Sequence, residues 1–190
     1  GKGGVGGIAG RMYAKESLLQ NCYNVGSVEG NETVGGLLGK NYGIVTNCYN
    51  LGPVEGTKYV GELIGENVYD STVTNCYYCP SENSVGIPYD KSSNPSQLST
   101  FTAEQFAAAS GETGAVVDVL NAWVNEQNDD RYINWHICSS ISYYYPTLDL
   151  HFVYTDNGET HTVGCALCDV ASAEAHSYSY TVEENRIPQS

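Results

Sequence analysis

Three sets of residues in this 190-residue chain have types and spacing suited to chemistry. The first is His161, Cys165, Cys168 and His176, an H-x3-C-x2-C-x7-H arrangement. Two thiolates at C-x2-C spacing reach one tetrahedral ion, and two imidazoles complete a structural zinc site. His151 is an alternative fourth ligand. A Cys165–Cys168 disulfide fits the same residues, as do two free thiols in a small β-hairpin turning at Asp156-Asn157-Gly158. These alternatives stay open. A redox pair calls for a helix N-terminus in a βαβ setting, which the flanking sequence does not supply.

The second set is Glu29 and Glu55, which fall at one position of a repeat. Paired carboxylates run glycoside hydrolysis. These two arise by repetition beside glycine corners, without a third acidic partner, and read as a solvated edge. The third set is Asn47-Cys48-Tyr49-Asn50, which occurs earlier as Asn21-Cys22-Tyr23-Asn24 and later, altered, as Asn75-Cys76-Tyr77-Tyr78. A site needs one convergence of groups, and this motif recurs along the chain. It therefore predicts columns: small buried thiols, an amide ladder, and a tyrosine ladder that is structural if covered and a platform for sugar rings if exposed.

The elements that must position these residues repeat as well. Val5-Gly6-Gly7-Ile8-Ala9-Gly10 aligns with Val34-Gly35-Gly36-Leu37-Leu38-Gly39 and with Val60-Gly61-Glu62-Leu63-Ile64-Gly65. Gly26-Ser27-Val28-Glu29-Gly30 aligns with Gly52-Pro53-Val54-Glu55-Gly56. Each unit holds three short strand candidates between glycine corners, none as long as an ordinary helix. A unit of this kind predicts one triangular turn of a right-handed parallel β-helix, about three turns in all, with neighbouring turns ~4.8 Å apart.

The units resemble the GLUG-motif repeat of bacterial surface proteins. The core of that motif reads Gly36-Leu37-Leu38-Gly39 here, with Gly7-Ile8-Ala9-Gly10 as a variant. The resemblance covers residues 3 to 80 and implies an extracellular or cell-surface, adhesin-type, non-enzymatic segment. The last unit departs from the pattern: Glu62 stands for glycine, and Tyr78-Cys79-Pro80 replaces the Asn-x-Gly corner. Decay of this kind is expected where a stack ends. The tail resembles short Cys/His repeats of secreted bacterial proteins through Cys165, Cys168 and Ala175-His176-Ser177-Tyr178, with Asp169 where glycine is usual.

Residues 81–99 read as a connector, with one short strand at Val85-Gly86-Ile87. The period then changes. Thr102 and Gln105 form a capping box, and Phe101 and Phe106 a hydrophobic staple, for a helix over 103–110 that stops at Gly111. A second helix over 114–126 presents Val116, Val117, Leu120, Trp123 and Val124 on one face. Both helices are expected to cover the open end of the stack, where unpaired strands invite aggregation. Two strands follow, at residues 133–137 and 143–150, with His136 packing beside Trp135. The element Tyr145-Pro146-Thr147-Leu148 resembles the segment that closes GLUG-repeat regions. Cys79 and Cys138 are a candidate tie between cap and stack. The expected organisation is β-helix over 1–80, α/β cap over 81–150 and a small Cys/His hairpin module over 151–190.

Twenty-two acidic residues against eight Lys and Arg give a formal charge of −14. That balance argues against nucleic acid, which requires cationic contacts to phosphate, and against anionic membrane surfaces. No apolar window reaches the ~18 residues of a membrane span. Seven cysteines leave at least one thiol unpaired within the chain. The chain opens inside a repeat, so it is expected to be a piece of a longer protein whose targeting segment lies upstream. The expected job is adhesion or carbohydrate binding at a host or glycan surface, as a monomer without catalysis. The competing expectations are a polysaccharide-active β-helix enzyme and a purely structural stalk.

Overall fold

The computed structural model describes residues 4–82, 84–129, 132–137 and 145–148, and, as backbone only, 152–156, 160–165 and 171–175. It divides into two units, residues 1–137 with 144–148, and residues 138–143 with 149–190.

The first unit is a parallel β-solenoid of about four turns. The first turn holds β1 (Val5–Gly6), β2 (Ala9–Arg11), β3 (Leu18–Gln20), β4 (Tyr23–Asn24) and β5 (Val28–Glu29). The second holds β6 (Val34–Gly35), β7 (Leu38–Asn41), β8 (Ile44–Asn50) and β9 (Val54–Glu55). The third holds β10 (Val60–Gly61), β11 (Ile64–Tyr69) and β12 (Thr72–Tyr78). The register is that of the repeat: Val5, Val34 and Val60 pair in one column, as do Ala9, Leu38 and Ile64. Glycines at the β6–β7 bend divide the expected second strand in two, so the first two turns feed four parallel ladders where three were expected.

The stretch read as a connector forms a fourth turn. Strands β13 (Tyr89–Ser92) and β14 (Leu98–Thr100) pair in parallel with β11 and β12. The N–H groups of Glu62, Leu63 and Ile64 donate to the carbonyls of Val85 and Gly86. Parallel pairing uses backbone groups alone, so this turn forms without the repeat's side chains; Leu98 continues the column of Cys48 and Cys76.

The motif asparagines set which way the strands face. Asn21, Asn47 and Asn75 have φ of 49°, 51° and 49°, a left-handed conformation that asparagine tolerates better than most residues. Strict alternation would put Val45 and Cys48 on opposite faces. The left-handed Asn47 between them resets the parity, so both lie in the core inside the coil with Leu37, Leu38, Leu63, Ile64, Val73 and Cys76. Tyr49 then points outward.

The helices are α1 (Ala103–Ala107) and α2 (Val116–Gln127). Thr102 and Gln105 form the expected capping box, and α1 ends several residues before Gly111. Neither helix covers the end of the stack. Both lie along its flank, over the tyrosine column of the first three turns. Tyr49 and Tyr77 are buried with Phe106, Val116, Val117, Leu120, Val124 and Trp135, and Tyr23 packs against them. The reason is the outward face of Tyr23, Tyr49 and Tyr77: three rings in one column present more surface to bury than the short last rung. Strands β15 (Trp135–Ile137) and β16 (Pro146–Leu148) pair antiparallel beside this layer. The Tyr49 hydroxyl donates to the Pro146 carbonyl, and Asn121 on α2 bonds both backbone groups of Trp135.

In the second unit, β17 (Phe152–Asp156), β18 (Thr160–Cys165) and β19 (Ala171–Ala175) form an antiparallel sheet. Asp156 on β17 pairs with His161 on β18, and β19 joins β18 as a third strand; residues 157–159, where the expected turn falls, lie outside the described residues.

Candidate functional site

Cys168, His176 and His151 lie outside the described residues. His161 and Cys165 lie on β18, where His161 pairs with Asp156 and Glu174, and Cys165 with Phe152. Among the described residues, no three His, Cys, Asp or Glu side chains gather as a metal site.

The thiol column is structural. Cys22, Cys48, Cys76 and Cys79 are free; Cys138, the expected partner of Cys79, lies outside the described residues. The three repeat thiols donate to the carbonyls of Gln20, Thr46 and Thr74, each two residues back. The hydrogen bond from Cys48 pulls the half-buried Cys22 thiol down to about 7 against the cost of its burial. Burial pushes Cys48 well up, and the neighbouring thiols add to that.

The expected Asn21–Asn47–Asn75 amide ladder has one link, Asn47 Nδ2 to Asn21 Oδ1 at 2.7 Å. Asn47 Oδ1 is buried without a partner; backbone conformation, more than amide pairing, accounts for asparagine here. Two other columns carry amide ladders. Asn24 donates to Asn50 at 2.8 Å. Asn41 donates to Asn67 at 2.9 Å, and Asn67 to Asp90 at 3.0 Å. The second has a signal in the sequence: Asn41-Tyr42-Gly43 repeats the Asn-x-Gly corner, and Asn67 follows 26 residues on.

Glu29 and Glu55 pair in register on β5 and β9 and line one open cleft of about 500 Å³ with Thr57 and Val60. They stand side by side on one ladder. Carboxylates of a glycosidase flank the scissile bond, and neighbours in a column lie on the same side of it. Glu62 is buried, and its carboxylate accepts from Ser81 at 2.7 Å. This explains the departure of the third turn. At Gly36 a Cβ would strike the Asn50 amide and the Glu62 carbonyl; in the next turn Tyr78 takes the asparagine position, freeing room for Glu62, whose carboxylate holds the altered corner through Ser81.

The tyrosine column is covered, which is its structural reading and not that of a sugar platform: Tyr49 is 0% exposed and Tyr77 8%. A different aromatic group is open, at the corner between the second and third ladders. Tyr13 is 77% and Tyr69 68% exposed. Tyr42 and Tyr69 stack at 5.4 Å between centroids, 30° apart in plane. The Arg11 guanidinium lies 5.2 Å from the Tyr13 ring centre and 5.9 Å from that of Tyr42. Sequence spacing held a signal for this corner. Arg11 pairs with Lys40 but Leu18 pairs with Ile44, so the first turn carries three extra residues here. Asn67 pairs with Asn41 and Thr72 with Ile44, so the third carries two extra. The uneven intervals between repeats arise at this one corner.

The repeat agrees with a known motif. Residues 30–54 match the GLUG motif. This segment runs from the end of β5 to β9 and contains Gly36-Leu37-Leu38-Gly39, whose leucines fill the core inside the coil. No curated protein and no solved structure matches the chain. Among the described residues, no helix is long and apolar enough to cross a membrane.

Proposed function

We propose that this chain is a non-enzymatic segment of a secreted or cell-surface bacterial protein that adheres by binding carbohydrate. The observation that carries the reading is the open corner of Tyr13, Arg11, Tyr42 and Tyr69. Length variation in a solenoid collects in loops on one face, often the one that binds. Here the variable corner is also the one that leaves tyrosine rings open to solvent, at a cost in exposed apolar surface that a purely structural stalk has no reason to bear. Ring faces of this kind suit the CH-rich face of a pyranose. The GLUG motif supports the cell-surface setting by resemblance, and the side-by-side Glu29 and Glu55 support a reading without catalysis.

The test is binding of the chain and of Tyr69→Ala to a glycan array. Glycan signals that fall in the variant support the reading. Background signal for the parent chain, or equal signal for both, would sink it and leave the structural stalk.

A further inference from the structure

Resting on the carbohydrate reading, the guanidinium at the open corner indicates what kind of sugar the corner takes. Arg11 is an anomaly in this chain. Acidic residues outnumber Lys and Arg by 22 to 8, yet Arg11 has no carboxylate partner and no hydrogen bond among the described residues. Its register neighbour Lys40 is paired with Glu66. The Nε of Arg11 is buried without an acceptor. Desolvating a guanidinium is costly unless something answers its charge. Among the described residues only the rings of Tyr13 and Tyr42 do so, and they use none of its donors. The terminal nitrogens, bonded to no acceptor among the described residues, are left for an outside anion.

We propose that Arg11 is an anion-recognition residue that pairs with the carboxylate of a uronic acid unit, while the Tyr69 and Tyr13 faces take the rings of the glycan. A planar guanidinium meets a carboxylate through two parallel hydrogen bonds, and a carboxylate borne on a pyranose places the pair beside the ring face that stacks. A nucleic acid fits poorly, because one clamped guanidinium cannot neutralise a run of phosphates. The overall negative charge does not prevent local pairing, since charges beyond about 8 Å are largely screened at physiological salt.

The experiment is calorimetric titration of the full chain with three probes: a tri-uronate, the neutral trisaccharide of the same linkage, and N-acetylglutamate as a carboxylate without a sugar ring. The chains are the parent, Arg11→Gln, Arg11→Lys and Tyr69→Ala, each checked for an unchanged thermal midpoint. The parent should bind the tri-uronate about tenfold more tightly than the neutral trisaccharide. Arg11→Gln should erase that preference, Arg11→Lys should restore part of it, and Tyr69→Ala should weaken both sugars alike. A preference that survives in Arg11→Gln overturns the assignment, as does N-acetylglutamate binding as tightly as the tri-uronate. Neutral sugar bound as tightly as the tri-uronate overturns the acidic preference and leaves carbohydrate binding standing. Failure of both sugars overturns both readings.

Discussion

Strand β8 serves two cores. Val45 and Cys48 point into the coil, among Leu37, Leu38, Leu63 and Ile64. Tyr49 points out, beneath Phe106, Leu120 and Trp135. The inner core is built by repetition: each of the first three turns supplies the same aliphatic and thiol positions, and the rungs fix the spacing. The outer layer is built once, from a tyrosine column contributed by the repeat and a cover contributed by unique sequence. The inner core needs side chains that fit a narrow coil, hence small thiols and branched aliphatics. The outer one needs rings with a polar end, and the Tyr49 hydroxyl finds the Pro146 carbonyl at its margin. Repetition thus makes an element, and unrepeated sequence decides which of its faces stays open.

The largest effect on this division should come from its cover. Phe106→Ala is expected to cost about 3–5 kcal/mol in chemical denaturation and to reduce the helical circular dichroism; a loss below about 1 kcal/mol would mean that the helices do not hold the tyrosine column. Leu63→Ala, in the coil, should cost about 2–5 kcal/mol, because backbone rungs on either side keep the cavity from collapsing. Asn47→Ala attacks the residue that separates the two faces. The left-handed backbone alone should cost about 1–2 kcal/mol, and Asn47→Gly should recover most of it; equal losses for the two variants would refute the conformational role of asparagine.

Smaller effects should follow pH. Burial raises Tyr49 above the ordinary phenol value of 10.0 and Cys48 well above the ordinary thiol value of 9.0. Between the unfolded and folded values the folded state holds more protons at these two groups, so the stability they contribute is whole below about pH 9 and is lost as pH rises above it. Tyr49→Phe should flatten the upper part of that fall and cost about 0.5–1.5 kcal/mol at neutral pH for the lost hydrogen bond. An alkaline limb identical in parent and variant would rule out Tyr49 as its source. The smallest effect concerns labelling. Cys22, at about 7, should alkylate near neutral pH, well ahead of Cys48 and Cys76, which are 0% exposed. Equal rates by peptide mapping would contradict the column.

The columns of Val, Cys and Tyr were legible because a solenoid turns sequence period into spatial register. The capping box at Thr102 and Gln105 was legible because it is a local bond. The side on which the helices sit was not: Val116, Val117, Leu120 and Val124 say that a helix must be covered, not by what. The missing fact was the parity set by Asn47, which cannot be counted from an alternating pattern. The fourth turn escaped because Tyr89–Ser92 and Leu98–Thr100 join through backbone pairing with few of the repeat's side chains. The open corner was half legible. Its uneven intervals were on the page, but only register shows that they gather where Arg11, Tyr13, Tyr42 and Tyr69 meet.

The ladder from Asn41 through Asn67 to Asp90 has a direction. Each amide offers a hydrogen to the next rung, and Asp90, a carboxylate, receives one from Asn67 and others from Ser92 and Ser96. Burial works against its charge, but the hydrogen bonds of Ser92, Ser96 and Asn67 together hold it below the usual carboxylate range. An acceptor with no hydrogen to pass on is the final word in such a sentence: a further coil arriving with an amide in that column would find no donor to greet its oxygen. Replacing Asp90 with asparagine gives the column a terminal hydrogen but removes a carboxylate oxygen that Ser92 and Ser96 use; a loss of about 0.5–1.5 kcal/mol in chemical denaturation is expected, and an unchanged midpoint would show that the carboxylate does not hold this end. One oxygen in place of one nitrogen thus gives the stack a grammar, with a beginning that can be read onward and an end that cannot.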